Sequence, residues 1–182
     1  YGHKVELTEK AIERIKTARA IVDDLVENEK VSYGITTGFG KFSDVVISKK
    51  DTRQLQINLI RSHACGVGDP LSEEIVRAMM LLRINALSKG YSGVRLETLQ
   101  VLIDMLNKGV HPIVPEKGSL GSSGDLAPLS HMVLTMLGEG EAIYKGARMD
   151  SKDAMEKAGI KPLEYLSSKE GLSLNNGTQC MT

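Results

Sequence analysis

Residues 118–131 read Gly-Ser-Leu-Gly-Ser-Ser-Gly-Asp-Leu-Ala-Pro-Leu-Ser-His, a run that could do chemistry no ordinary loop offers. Ser123 stands between Ser122 and Gly124, and Asp125 follows. Gly124 has no Cβ, so its backbone nitrogen can approach a carbonyl carbon that other residues could not reach. Attack of that nitrogen on the Ser122 carbonyl, with loss of water, would close a five-membered ring. A second dehydration would remove the Ser123 hydroxyl and leave an exocyclic methylidene. The product, a methylidene-imidazolone, is an electrophile that no unmodified side chain supplies. Two plainer readings compete. Ser/Gly clusters ahead of a helix are commonly turns, and a helix N-terminus can cradle phosphate. The Gly-Lys-Ser/Thr ending of a P-loop is missing, as is Gly-x-Gly-x-x-Gly after a strand.

From Ser122 to His131 the chain resembles the histidine ammonia-lyase family, whose members carry Ala-Ser-Gly-Asp-Leu-Ala-Pro-Leu-Ser-His there. Ser122 replaces the family's alanine; only its backbone enters the ring, so the exchange is expected to be tolerated. Three further stretches carry the same resemblance: Tyr-Gly-x-x-Thr-Gly-Phe-Gly from Tyr33, Arg-Ser-His-Ala-Cys-Gly-Val-Gly from Arg61, and Asn-Asn-Gly-Thr-Gln from Asn175. Asn175 stands where the family usually has an apolar residue. The likeness extends over essentially the whole chain.

The resemblance implies a role for each. Tyr33, by default a packing residue, becomes the base that removes a β-proton from the substrate. A free phenol has a pKa near ~10, and each unit of depression needs about 1.4 kcal/mol of preferential anion stabilisation. Helix N-termini converging on the site could supply it. His63 would hydrogen-bond an imidazole, and the Ser62-His63 pair resembles the histidine-specific members; relatives acting on phenylalanine or tyrosine tend to differ there. Asn176 would bond the cyclised cofactor or the substrate amine, against the plain reading of Asn-Gly as a turn. Asp125 could cap the following helix or assist dehydration. The implied activity is elimination of ammonia from L-histidine to give urocanate, on a methylidene-imidazolone formed from Ser122, Ser123 and Gly124. The implied assembly is a homotetramer with sites shared between subunits. An ammonia-lyase or aminomutase acting on phenylalanine or tyrosine is the rival enzyme, and a noncatalytic helical fragment the rival of another class.

Composition narrows the field. Lysine plus arginine equals aspartate plus glutamate, 23 each, so no basic field invites nucleic acid or an anionic membrane. No apolar stretch approaches the ~20 residues of a membrane helix, and no signal-peptide pattern stands at the start. These features fit a cytoplasmic protein. Cys65 and Cys180 are too few and too far apart for a disulfide framework or a zinc site, and read as buried free thiols. No His/Cys/Asp/Glu spacing suggests a metal site. Tyr1 in place of a start methionine, and a stop where a helix is beginning at Cys180-Met181-Thr182, read as an N-terminal fragment. Residues 1–182 are then one cofactor-forming domain, truncated on its C-terminal side.

The elements that must position these residues are mainly helical. Thr8 caps a helix over 9–28, with Ile12, Ile15, Ile21, Val22 and Leu25 near one face. Residues 31–48 are glycine-rich and irregular. Ser48 and Asp51 have capping-box spacing for a helix running towards Ser62. Ser72 opens a third helix, with Ile75, Met79, Leu82 and Ala86 at helical spacing before Gly90. Leu96, Leu99, Ile103 and Leu106 mark a fourth, closed by Gly109. Residues 111–124 read as an extended loop. Pro128 suits the first turn of the next helix, which ends near Gly138 and Gly140. A hairpin over 141–149 turns at Lys145-Gly146, and 151–158 form a short helix. His131 is expected to be a structural hydrogen-bonding residue, His3 and His111 have no evident role, and the methionines read as core filler.

Overall fold

The computed structural model describes residues 2–38, 47, 49–120 and 124–182. Ser48, and with it the expected capping box, lies outside them. Thr8 caps α1 (Glu9–Glu27), its hydroxyl accepting from the Ala11 amide. α2 (Lys49–His63) follows, and then β1 (Val67–Pro70). Ser72 caps α3 (Glu73–Leu87) by accepting from Ile75 N. α4 (Leu96–Lys108) ends on Gly109, which takes the left-handed φ of 76° that lets the chain turn sharply into β2 (Val110–Pro112). β3 (Pro115–Lys117) leads to α5 (Leu126–Met136), with Pro128 in its first turn. β4 (Glu141–Tyr144) and β5 (Ala147–Asp150) form the expected hairpin, followed by α6 (Ser151–Lys157) and α7 (Glu170–Asn175). Mainly helical with a minor hairpin is therefore correct.

The extended loop at 111–124 needs correction. β2 pairs antiparallel with β4, making a three-stranded sheet β2-β4-β5, and β3 pairs antiparallel with β1. Three- and four-residue strands show no usable alternation, and their partners lie far off in sequence. The final residues hold a turn rather than the start of a helix.

α3, α4 and α5 supply most of the core, with Ile15, Ile60, Leu166 and Leu174 contributed by the surrounding elements. Six of the eight methionines are fully buried there, as expected of side chains that fill irregular gaps. The buried face of α3 is shifted from the expected one. Val76, Met80, Arg83, Ile84 and Leu87 join Met79 inside, while Ile75 and Leu82 face outward. α3 is apolar nearly all round, so its periodicity does not fix its rotation. On α1, Arg19 is buried and Ile21 is exposed. The Arg19 guanidinium reaches the carbonyls of Gly93 and Ser168 at 3.2 and 3.0 Å and pairs with Asp23, so its charge is well satisfied inside.

Candidate active site

Tyr33 sits in a turn just after α1, built by buried threonines. Thr36 donates its hydroxyl to Lys30 O at 2.8 Å and accepts from Ser32 N at 2.9 Å, while Thr37 accepts from Gly34 N. The phenol is thereby carried to a pocket of about 440 Å³ lined by Tyr33, Arg83, Tyr91, Ser92, Lys169, Leu172, Ser173 and Asn176. Two residues singled out from the sequence thus line one cavity. Asn176 reaches it as the residue closing α7, its amide donating to Leu172 O at 3.1 Å.

The lining contains two cations and no carboxylate. Burial lowers the Arg83 pKa to about 10, so it stays charged at neutral pH. Burial also lowers that of Lys169, helped by the charges of Arg19 and Arg83. Lys169 donates to Ser92 O at 2.6 Å, and Ser173 Oγ donates to the same carbonyl at 2.7 Å. Such a pocket suits a ligand bearing a carboxylate.

Gly124 packs against Gly177, the residue after Asn176. Its φ is +111°, and a Cβ there would overlap the Gly177 carbonyl oxygen. Only glycine fits. That carbonyl also accepts the Asp125 amide at 2.5 Å. The Asp125 carboxylate is fully buried and makes no cap to α5. Instead Oδ1 accepts the Ser119 hydroxyl at 2.5 Å, and Oδ2 accepts the amides of Cys180 and Met181 at 2.8 and 2.9 Å. Asp125 therefore ties the start of the serine-glycine loop, its end and the 177–181 turn to one point. Ser122 and Ser123 lie outside the described residues. The tightness around Gly124 fits a ring made from this backbone, because the glycine packs against the Gly177 backbone where a side chain would not fit.

His63 ends α2, half-buried, and is not among the residues lining the Tyr33–Asn176 pocket. Its Nδ1 lies 2.8 Å from Leu59 O, with Ser62 Oγ at 3.1 Å. A carbonyl only accepts, so in the neutral ring Nδ1 carries the proton and Nε2 is the acceptor. The segment after it is fixed to the loop. Gly66 N donates to His131 Nε2 at 3.0 Å, and a Cβ on Gly118 would come within 3.0 Å of Gly66 Cα. His131 is thus the hydrogen-bonding residue expected. His111, given no role from the sequence, is buried with Nε2 3.0 Å from Glu73. Cys65 is exposed rather than buried and Cys180 half-buried; both are free thiols. Among the described residues no His/Cys/Asp/Glu group is arranged to hold a metal, and no described helix is long and apolar enough to cross a membrane.

Sequence reasoning missed Arg83 and Lys169. A lone arginine in the Met-Met-Leu-Leu-Arg-Ile run of α3 was the available signal, since a charge on so apolar a helix calls for a partner inside.

The aromatic amino acid lyase model matches residues 1–182. Histidine ammonia-lyase of Alkaliphilus oremlandii is 69% identical over 180 residues, covering 99% of this chain and 35% of that protein. That of Bacillus subtilis is 58% identical over 175 residues, covering 96% and 34%. Among solved structures, histidine ammonia-lyase from Trypanosoma cruzi superposes with a TM-score of 0.90 at 42% identity, over 99% of this chain and 34% of that one. Phenylalanine aminomutase of Pantoea agglomerans superposes at 0.91 with 39% identity, over 98% and 34%. The chain spans about a third of the length of the relatives it matches. With a family model matched from end to end, this chain belongs to the aromatic amino acid lyases.

Proposed function

We propose that this chain is the N-terminal, cofactor-forming portion of an enzyme that eliminates ammonia from L-histidine to give urocanate. The observation that carries the reading is Gly124, held at a φ only glycine tolerates, back to back with the turn bearing Asn176. The group formed from Ser122, Ser123 and Gly124 would supply an electrophilic carbon that unmodified side chains lack. Tyr33 acts as the general base for the substrate β-proton, from the pocket it shares with Asn176. Asn176 holds the substrate amine or the cofactor by hydrogen bonding. His63, with Nε2 free to accept in the neutral ring, takes the substrate imidazole N–H. An aromatic hydrocarbon ring could not offer that bond, so losing it discriminates strongly between substrates.

The choice of histidine is supported by the Ser62-His63 pair and by relatives named histidine ammonia-lyase at 56–69% identity. The fold alone does not choose, since an aminomutase superposes as well. The intact enzyme is a cytoplasmic homotetramer acting on a small amino acid, with neither nucleic acid nor membrane as partner. The test is the purified full-length protein assayed with histidine, phenylalanine and tyrosine for ammonia release, beside Ser123→Ala. Urocanate should form from histidine alone, and Ser123→Ala should lose activity because alanine has no hydroxyl to eliminate. Wild-type turnover by Ser123→Ala would sink the cofactor assignment, and preference for phenylalanine or tyrosine would sink the substrate.

A further inference from the structure

Arg83 is 4% exposed, on a helix whose other inward residues are apolar. Among the described residues no carboxylate pairs with it, and its Nε has no hydrogen-bond partner. A charge buried this way is a poor device for stability, since apolar replacements of similar volume commonly do as well or better. What a guanidinium does provide is a rigid, planar set of directed donors. Nη2 donates to the Ser173 carbonyl and Nη1 to Gln179 Oε1 at 3.0 Å, gripping the chain on both sides of Asn176. Nη1 also fills the space beside Gly177, where any Cβ would overlap it. The Gly177 carbonyl, in turn, accepts the Asp125 amide and backs Gly124.

We infer that Arg83 is a positioning residue: it sets the 173–179 turn so that Asn176 faces the pocket and Gly177 presses on the backbone that must cyclise. The inference rests on the function proposed above. Through Gly177, one side chain governs both the substrate-facing amide and the cofactor-forming glycine.

The experiment uses the full-length enzyme, with wild type, Arg83→Met (similar length, no donors) and Arg83→Lys. Intact mass gives the fraction that has lost two waters, kinetics give kcat and KM for histidine, and thermal unfolding reports the fold. Arg83→Met should remain folded, with a reduced dehydrated fraction and kcat lowered about 10²-fold, the effect of ångström-scale misplacement. Arg83→Lys, which keeps the charge in the pocket, should restore part of the dehydration. A merely structural arginine would lower the melting temperature while leaving water loss complete and kcat unchanged; that result overturns the inference. Should Arg83→Met fail to fold, Gln179→Ala removes one of the same bonds from a half-buried position. Partial dehydration there supports the inference, and full dehydration with wild-type kcat overturns it. A wild-type enzyme that has lost no water would overturn the cofactor reading, and this inference with it.

Discussion

The contrast between Tyr33 and Asp125 shows how one site asks different things of two ionisable residues. Tyr33 is carried by the backbone turn that Thr36 and Thr37 build. Tyr33→Phe in the full-length enzyme should keep the fold and the dehydrated loop while kcat falls by ~10²–10⁴-fold. A kcat within about 3-fold of wild type would place the base elsewhere. Asp125 is the opposite case, a buried carboxylate whose oxygens accept a hydroxyl and two backbone amides. Asp125→Asn presents a donor where only acceptors are wanted, leaving a buried N–H or hydroxyl unpaired. It should destabilise this chain by about 1–3 kcal/mol, read by urea denaturation, and an unchanged midpoint would mean the turn repacks freely. The family resemblance singled out Tyr33 and Asn176, which line one pocket, and the serine-glycine run singled out Gly124, whose φ only glycine tolerates. Arg83 and the bonds of Asp125 were not legible, because their partners are backbone groups on distant segments and leave no local pattern.

Elements with strong local signals were legible: capped helices, the Gly109 stop and the Lys145-Gly146 hairpin all stand where the sequence puts them. β1 and β3 were invisible because four- and three-residue strands exist only through their long-range pairing. The rotation of α3 was illegible because tertiary packing, not its pattern, chooses the buried face. Long-range pairing also makes the junction between α5 and the segment after α2 sensitive to acid. Gly66 donates to His131 Nε2, which must therefore be unprotonated. Burial pushes the His131 pKa below the ordinary 6.5, so the unfolded chain binds more protons as pH falls through that value. Stability is then fully present above about 6.5 and is lost on acidification towards the depressed folded value. His111 shifts the same way, its burial outweighing the pull of Glu73. The melting temperature of this chain should fall as the pH drops below about 6.5. His131→Gln, which keeps an acceptor for Gly66, should flatten that slope. An unaltered slope would assign the acid sensitivity to His111.

At the scale of the whole molecule, the pocket is open. Tyr33 and Tyr91 line it yet are 58% and 89% exposed, and Leu120, beside the serine-glycine loop, is 88% exposed. Removing a weakly acidic carbon-bound proton calls for a site that excludes water, where fixed dipoles and charges act at full strength. Among the described residues the pocket has no such cover. Relatives about three times as long have the chain to provide one. The outward residues of α3, Ile75, Leu81 and Leu82, present apolar surface of the kind that marks an interface. Cyclisation makes a similar demand, because surrounding structure must hold the Gly124 nitrogen against the Ser122 carbonyl. Asp125 and Gly177 grip only one end of that arrangement. The 182-residue chain, purified alone, should therefore retain both waters in its intact mass and release no ammonia from histidine. It should also self-associate in sedimentation at micromolar concentration through its uncovered faces. Loss of two waters together with ammonia release would show instead that the grip of Asp125 and Gly177 suffices, and that the rest of the protein serves other ends.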